Sequence, residues 1–418
     1  MKLLLSIATL LLATVANAQE DTLRQTVDSL PWPKSVQVRL DSLLQRPMFQ
    51  TSTVGLMVYD LTADSALYRH NHRQLLRPAS TMKLLTAITA IDRLGAGYQL
   101  RTSLYQTGTI GQRTLTGDLI VVGAMDPCFS TDDLRAFAEQ LRFMGVDTLR
   151  GRIVADCSMK DTLRWGEGWC WDDDNPTLTP LLVDKKPDFA NRFVAELLAQ
   201  GIVLDGVTTT TGLLPKGARK LCTRMHTIDQ VLVRMMKESD NLYAEALFYH
   251  IAALAGRPAN GRSQATNRPA TARQARTAMW QLIDRLGLNG KDYRIADGSG
   301  LSLYNYLSAE LQVLLLRYAW QSPRIYDVLL PVLPLAGIDG TLKSRMQDSP
   351  ACGNVRAKTG TLTGIVSLAG YCTAPNGHRL CFSIINQGVM GYRAGRQFQD
   401  SVCTALCEPP LQPPLQAP

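Results

Sequence analysis

Residues 77–86 read RPASTMKLLT and begin the first long helix that the sequence indicates. Apolar residues recur at helical spacing as far as Leu94, which is followed by Gly95. Residues three apart share one helical face, so the hydroxyl of Ser80 can contact the amine of Lys83. A lysine acts as a base only when it is neutral, which requires burial or a second cation nearby. Alone this spacing is common, and the ordinary alternative is a helix cap.

Two later segments carry polar residues that suit the same chemistry. Ser239-Asp240-Asn241 places a hydroxyl and an amide two residues apart, as in a turn that faces a cleft. Lys358-Thr359-Gly360-Thr361 precedes a strand; its glycine admits a close substrate backbone, and its lysine and threonine can bind a carboxylate. Each segment alone is common. A serine with lysine three residues later, then S-x-N, then K-T-G, is however the recorded signature of penicillin-interacting serine acyltransferases.

Five blocks around these motifs are long enough to be specific. They read VGLMVYD at 54–60, RPASTMKLLT at 77–86, SDNLYAEAL at 239–247, DGSGLS at 297–302 and LAGIDGTL at 335–342. Together they resemble the D-alanyl-D-alanine carboxypeptidase/endopeptidase class of penicillin-binding proteins. The resemblance runs from about Val54 to about Leu406.

The fold that this resemblance implies is α+β, with a β-lactamase/transpeptidase-like domain interrupted by an inserted accessory domain. The main domain would hold a five-stranded antiparallel sheet with flanking helices, built from residues 19–100 and 225–407. The accessory domain would occupy residues 101–224. Between Lys83 and Ser239 lie 155 residues, fewer than the family usually has. The accessory domain is therefore expected to be shortened, with the missing part after about Asp174.

The resemblance also implies the catalytic roles. Ser80 would attack the D-Ala-D-Ala carbonyl, and Lys83 would take its proton. Ser239 would relay a proton toward the leaving amine, and Asn241 would bind the peptide. The acyl-enzyme would be released by water, without a metal or cofactor.

Substrate-binding roles are implied for four further residues. Lys358 and Thr359 would hold the terminal carboxylate, and the backbone N–H groups of the nucleophile and of Thr361 would form the oxyanion hole. Asp156, in an Asp-x-Ser pattern, would bind the side-chain amine of the stem peptide. The family often has arginine directly after the DGSGLS block, where this chain has Leu303. One carboxylate contact is therefore expected to be absent.

The DGSGLS block itself is interpreted as structural, because it lacks the spacing of a G-x-S-x-G nucleophile elbow. This interpretation covers Asp297, Ser299 and Ser302.

The N-terminus predicts export. Lys2 is followed by an apolar run from Leu3 to Val15 and by small residues before Gln19, the pattern of a signal peptide over residues 1–18. The run is too short to span a bilayer, so no transmembrane anchor is expected, and peripheral membrane or cell-wall association stays open. The expected location is the periplasm. Residues 408–418 are proline-rich and are predicted to be a disordered tail.

The composition of the chain argues against nucleic acid as a partner. The chain has 418 residues, 45% of them hydrophobic, and a formal charge of +8, which falls short of a nucleic-acid-binding footprint. Peptidoglycan stem peptides and β-lactam antibiotics are the expected partners. The basic segment from Gly256 to Arg276 is interpreted as a solvated loop, with an anionic-ligand patch as the alternative.

Nine cysteines allow disulfides in an oxidising compartment. Cys372 and Cys381 flank Asn376-Gly377, a two-residue hairpin signal that would set them opposite one another. A cross-strand disulfide and two free buried thiols are both open. Cys403 and Cys407, four apart in a helical pattern, are predicted to be packing residues. No zinc-site spacing occurs in the sequence.

The remaining patterns predict the frame of the fold. A hairpin over residues 54–68 opens it, strands follow at 365–372 and 380–386, and a helix over 392–406 closes it. Residues 231–255 are predicted to be helical, and residues 161–178 are predicted to form a surface loop.

Two other functions would use parts of the same signature. A β-lactamase shares the nucleophile and both lysines, but one class deacylates with a glutamate followed four residues later by asparagine, and no glutamate here has that neighbour. A catalytically inactive peptidoglycan-binding homologue is the second alternative. The intact set of three motifs argues against it.

Overall fold

The computed structural model describes residues 30–173, 175–255 and 269–409. The strands, in chain order, are β1 (Thr53–Asp60), β2 (Ser65–His70), β3 (Gln99–Gln106), β4 (Thr109–Gly111), β5 (Thr114–Thr116), β6 (Leu119–Val122), β7 (Thr148–Arg150), β8 (Arg152–Asp156), β9 (Val203–Leu204), β10 (Thr208–Thr211), β11 (Arg219–Thr227), β12 (Arg356–Leu362), β13 (Ile365–Thr373) and β14 (Arg379–Gln387). The predicted opening hairpin and the two late strands are confirmed.

The α-helices, in chain order, are α1 (Lys34–Leu43), α2 (Met82–Leu94), α3 (Thr131–Phe143), α4 (Phe189–Ala199), α5 (Ile228–Lys237), α6 (Asn241–Ala255), α7 (Ala272–Arg285), α8 (Ala309–Trp320), α9 (Pro323–Val332) and α10 (Tyr392–Cys407). The predicted closing helix is confirmed. Among the helices of the described ranges, none combines the length and the apolar character needed to cross a bilayer. The predicted signal peptide, most of the proline-rich tail and residues 256–268 of the basic segment lie outside the described residues.

The central sheet is antiparallel and is built from both ends of the chain, as the resemblance implies. Its strand order is β12-β13-β14-β1-β2, so β14 pairs with β1 across more than 300 positions of sequence. Alternate residues of each strand face opposite sides of a sheet. On β1, Leu56 and Val58 pack against the layer that contains α1 and α10, whereas Met57 faces the larger helical layer.

Helix α2 is the buried axis of that helical layer. Every residue from Met82 to Ile91 is buried, because α2 packs against both α6 and α8. Gly95 ends the helix with φ of 85°, in the left-handed region that favours glycine. A helix buried on all sides lies in the core, and here its burial fixes the residues at its first turn.

Residues 99–227 contain two further sheets with a hydrophobic core of their own. One sheet has the order β10-β8-β6-β3-β11 and the other β4-β5-β7-β9, and both include parallel pairs. Aromatic side chains of α3 and α4, among them Phe137 and Phe193, fill this core. Between β8 and α4, the described residues of segment 161–178 form no helix or strand, which confirms the predicted loop.

The predicted position of Cys372 directly opposite Cys381 is wrong, and of the two alternatives left open the structure shows two free buried thiols. The structure pairs Cys372 with Leu380 and Cys381 with Tyr371, so the two thiols face opposite sides of the sheet. The hairpin turn is one residue longer than predicted, with Gly377 at φ of 84°, and a shift of one residue moves a side chain to the other face. All nine cysteines are free, and Cys403 and Cys407 are buried, as expected for packing residues.

Candidate active site

Ser80 lies in a single 3₁₀ turn, Ala79–Thr81, that leads directly into α2. The preceding residue, Ala79, adopts φ of 47°, which is unfavourable for a residue with a Cβ atom. Buried hydrogen bonds hold this backbone. The carbonyl of Pro78 accepts hydrogen bonds from the hydroxyls of Thr81 at 2.7 Å and Ser367 at 2.5 Å. The turn therefore presents the Ser80 hydroxyl at the edge of the sheet.

The side chain of Lys83 is fully buried, and its Nζ atom contacts three oxygens. It lies 2.7 Å from Asn241 Oδ1, 2.8 Å from the Ser299 carbonyl and 3.0 Å from Ser80 Oγ. The first two oxygens can only accept a hydrogen bond, whereas a hydroxyl can also donate one. A neutral amine has two N–H bonds and one lone pair. Those two N–H groups match the two obligatory acceptors, which leaves the lone pair for the Ser80 proton.

Burial lowers the pKa of Lys83 from its ordinary value to about 8. Three carboxylates oppose this shift by stabilising the ammonium form, in decreasing order Asp297, Glu245 and Asp240. Burial nevertheless dominates. At pH 7 a group with this pKa is neutral in about a tenth of molecules, far more than an exposed lysine would be.

Ser239 and Asn241 lie where the predicted single helix over residues 231–255 is interrupted. The structure has two helices, α5 and α6, because Ser239 adopts φ of 63° and turns the chain between them. Asp240 begins α6 by accepting the N–H of Leu242 at 3.0 Å, and it forms an ion pair with Lys185. This turn directs Ser239 toward the sheet edge and Asn241 toward α2.

Lys358 is buried on edge strand β12 and completes the cluster. Its Nζ donates hydrogen bonds to Ser239 Oγ at 2.8 Å and to the Thr359 carbonyl at 2.7 Å. Burial lowers the pKa of Lys358, and the positive charge of Lys83 lowers it further. Thr359 shares a 2.7 Å hydrogen bond with the hydroxyl of Thr341. The K-T-G motif is thus joined to the cluster of Ser80, Lys83 and Asn241 by the segment that carries Ser239, to which Lys358 is bonded.

Gly360 allows β12 to pass directly beside Ser80. A Cβ atom at this position would lie 2.8 Å from the Ser80 backbone nitrogen and 2.2 Å from Ser367 Oγ. Any larger residue would force the strand away from the turn. The close approach brings the strand backbone at Gly360, directly before the exposed Thr361, next to the backbone nitrogen of Ser80.

Asp156 is not joined to this cluster. It ends β8 in the accessory part and is 3% exposed, and its carboxylate accepts backbone N–H groups from Ser158 at 2.9 Å and Leu214 at 2.7 Å. These hydrogen bonds hold the backbone around Asp156 in place. Binding of a substrate amine by Asp156 stays a prediction. Leu303 is partly exposed, and its carbonyl accepts a hydrogen bond from Arg77 at 2.9 Å.

Within the DGSGLS block, Asp297 is structural, as interpreted from the sequence. Its carboxylate accepts four hydrogen bonds that hold the loop, from the backbone N–H groups of Gly300 and Ser302 and from the side chains of Asn305 and Trp169.

Sequence reasoning missed two contributors to the cluster. The Ser299 carbonyl contacts Lys83, and Glu245 binds the loop that carries this carbonyl. A backbone carbonyl leaves no signal in a sequence. Glu245 did leave one, since it lies four residues after Asn241 and therefore on the same helical face. Within the described ranges, no group of His, Cys, Asp and Glu side chains could hold a metal ion.

A family model described as the D-Ala-D-Ala carboxypeptidase 3 (S13) family matches residues 36–182 and 175–407. The chain belongs to this family. It is therefore a serine-type peptidase, in agreement with the resemblance seen in its sequence. The two matched segments meet at the position where the sequence predicted a missing part of the accessory domain.

Individual proteins show the same likeness. The chain is 28% identical to a D-alanyl-D-alanine carboxypeptidase from Actinomadura sp. (strain R39), over 88% of this chain and 84% of that one. Its fold matches penicillin-binding protein 4 from Haemophilus influenzae with a TM-score of 0.78 and 22% identity, over 87% and 97% of the two chains. That protein has also been solved with a β-lactam. A predatory peptidoglycan endopeptidase from Bdellovibrio bacteriovorus matches at TM-score 0.55 and 16% identity, over 86% and 93%.

Proposed function

We propose that this S13 peptidase is a D-Ala-D-Ala carboxypeptidase, a DD-endopeptidase or both, and that it acts on peptidoglycan stem peptides through an acyl-enzyme on Ser80. The observation that carries the proposal is the buried amine of Lys83, which has two acceptors for its N–H groups and a hydroxyl opposite its lone pair. The names of the relatives support the choice of substrate.

In the acylation step, Ser80 Oγ attacks the carbonyl carbon of the penultimate D-alanine while its proton passes to Lys83 Nζ. The resulting oxyanion accepts hydrogen bonds from the backbone N–H groups of Ser80 and Thr361. Removing one such donor typically costs about 3 kcal/mol of transition-state stabilisation. Asn241, which holds the amine of Lys83, also faces the cleft where the peptide would lie.

Collapse of this intermediate breaks the C–N bond and releases D-alanine, or the amine of a neighbouring stem peptide in endopeptidase action. The leaving nitrogen requires one proton. Ser239 is placed to deliver it, because its hydroxyl lies 2.8 Å from Lys358 Nζ, which can replace the proton. Water then attacks the ester and loses a proton, which returns to Lys358 through Ser239, and Ser80 leaves the acyl group with the proton held by Lys83.

The substrate carboxylate would bind at the K-T-G strand. Lys358 has one N–H group left after its bonds to Ser239 and to the Thr359 carbonyl, and a protonated amine beside a carboxylate gives a strong charge-assisted hydrogen bond. The Thr359 hydroxyl, which donates to Thr341 in this structure, would be the second donor after its O–H bond turns from Thr341 to the carboxylate. This arrangement selects substrates with a free carboxylate next to the bond that is cleaved, and β-lactams carry one in the same place.

We also propose where the enzyme is located and where its domains begin and end. Export by residues 1–18 would bring the enzyme to the periplasm, where peptidoglycan lies, and covalent β-lactam binding would follow from the acyl-enzyme. The main domain would comprise residues 19–100 and 225–407, and the accessory domain residues 101–224. The three sheets support this division, because only the central one mixes the two ends of the chain.

The rate of Ser80 acylation is expected to rise with pH. Only the neutral amine of Lys83 can accept the proton, and since its pKa is lowered to about 8, the neutral fraction falls about tenfold per unit of pH below that value. The rate constant for labelling by a fluorescent penicillin, measured from about pH 6 to about pH 9, checks this. A rate that stays constant over this range would exclude Lys83 as the base.

The substrate is tested with purified stem peptides. The protein is incubated with pentapeptide monomers and, separately, with cross-linked dimers. Release of D-alanine demonstrates carboxypeptidase action, and conversion of dimer to monomer demonstrates endopeptidase action. The Ser80→Ala variant serves as the control for contaminating hydrolases. If neither product forms with a preparation that is fully labelled by penicillin, the stem peptide is not the substrate.

A further inference from the structure

Glu245 is a buried carboxyl group that joins α6 to the loop at residues 297–300. Glu245 is 1% exposed. Its Oε1 atom accepts hydrogen bonds from the backbone N–H groups of Gly298 at 3.0 Å and Ser299 at 2.8 Å. A carboxyl group is expensive to bury, so two backbone donors from one loop make this a specific attachment.

The attachment links both acceptors of the Lys83 amine. One acceptor is Oδ1 of Asn241, in the first turn of α6, and the other is the carbonyl of Ser299 on the loop. Glu245 follows Asn241 by four residues and so projects from the same face of the helix. It is therefore bonded to the loop on one side and fixed to Asn241 by helix geometry on the other.

We propose that Glu245 is a positioning residue for acyl transfer: it holds the Ser299 carbonyl at a fixed place relative to Asn241, so that Lys83 directs both N–H bonds away from Ser80 and its lone pair toward the hydroxyl. The inference rests on the proposed roles of Ser80 and Lys83. Without this attachment the amine could rotate and donate to Ser80, and a donated hydrogen bond does not activate a hydroxyl.

The loop has other anchors, so its fold does not depend on Glu245 alone. Asp297 binds two backbone N–H groups within the loop and two side chains around it. The Thr86 hydroxyl donates to the Gly298 carbonyl at 2.6 Å. Loss of Glu245 should therefore displace the Ser299 carbonyl without unfolding the loop. A variant that lacks Glu245, folds normally and is acylated slowly would therefore distinguish a positioning role from a purely structural one.

The charges around Glu245 fix the sign of its effect on pH dependence. It faces Lys83 on α2, Asp297 on the loop and Tyr249 on its own helix. Lys358 on β12 and Asp240 before α6 complete the set around Lys83. Burial, and then the charge of Asp297, raise the pKa of Glu245 to about 8. When ionised, Glu245 raises the pKa of Lys83, so its removal lowers that pKa.

The experiment compares wild type with Glu245→Gln, Glu245→Ala and the control Glu310→Gln. The control makes the same change on α8, where the carboxylate pairs with Arg73 outside the site. For each protein the rate and the amplitude of labelling by a fluorescent penicillin are measured from about pH 6 to about pH 10, together with the thermal unfolding midpoint. Saturation with penicillin separates the acylation rate from the apparent affinity.

Glutamine keeps an oxygen that can accept the two backbone N–H bonds. Glu245→Gln should therefore keep the high-pH rate within about threefold of wild type and move the midpoint of the profile to lower pH. Glu245→Ala should lower the high-pH rate about tenfold or more at unchanged apparent affinity, the effect expected when a transition-state interaction is lost. Glu310→Gln should match wild type in rate and midpoint.

Three results would overturn the proposal. One is a Glu245→Ala variant with the wild-type rate and midpoint; another is a smaller amplitude at an unchanged rate, which indicates a loss of folded protein only. If Glu245→Ala does not fold, Glu245→Met, which keeps the side-chain volume without an acceptor for the two backbone N–H groups, takes its place, and a wild-type rate in that variant overturns the proposal. A wild-type protein that is never labelled contradicts the proposed function instead, so the two failures are distinguishable.

Discussion

Substitution of Ser80 by alanine is expected to abolish covalent labelling of the protein by a fluorescent penicillin. In the proposed mechanism the label is an ester of the Ser80 hydroxyl, and alanine has no oxygen with which to form it. Ser80 is partly buried at the end of a turn that other residues hold in place, so the change removes one atom and leaves the backbone hydrogen bonds at Pro78 intact. The loss should therefore be complete, with little change in the unfolding midpoint.

The label is followed by gel fluorescence and by the mass of the intact protein. Ser322→Ala provides a matched control, because Ser322 precedes α9 without capping it through its side chain. This control should be labelled at the wild-type rate. Persistent labelling of the Ser80→Ala variant would remove Ser80 from its role and would direct the search to another hydroxyl, of which Ser239, bonded to Lys358, is one candidate.

Substitution of Lys83 by methionine is expected to lower the acylation rate by about 10³-fold or more while the protein stays folded. General base catalysis typically contributes 10²- to 10⁴-fold, and methionine has no atom that accepts a proton at neutral pH. Lys83 also holds Asn241 in place, so the loss should lie at the upper part of that range.

Two opposing effects on stability explain why the Lys83→Met protein should fold. Burial of an amine is unfavourable, as its lowered pKa shows, and methionine removes this penalty. The change also leaves the Asn241 and Ser299 oxygens without a donor, at about 1–3 kcal/mol each. Because the effects are of similar size, the unfolding midpoint should move by only a few degrees. Rapid labelling of a folded Lys83→Met protein would exclude Lys83 as the proton acceptor.

The sequence predicted those parts of the fold that depend on local patterns. Apolar strand-like runs indicated the strands around Leu56 and Phe382, and the run from Met82 to Leu94 indicated the central helix. The five-stranded sheet built from both ends of the chain came from the resemblance alone, because pairing between the two ends of a chain has no local signal. The family match supports that resemblance independently of the motifs.

The errors all concern backbone conformation at single residues. The helix predicted over residues 231–255 breaks at Ser239, whose positive φ is disfavoured for serine and is maintained here by the surrounding contacts. The turn after Thr373 is one residue longer than the Asn-Gly signal suggested, which moved Cys372 and Cys381 to opposite faces. The contact between Lys83 and the Ser299 carbonyl depends on a backbone atom that every residue has.

The pairing of β1 with β14 has a consequence for how the enzyme is made. Ser80 is synthesised early, but the strand beside it, β12, is held through β13 and β14, which are among the last parts of the chain to appear. Such distant pairing is associated with slow folding. A nascent chain therefore carries the proposed nucleophile long before it has a working pocket, and hydrolytic competence arises only once β14 has been made and has paired with β1. Activity is thus a sensitive reporter of completed maturation.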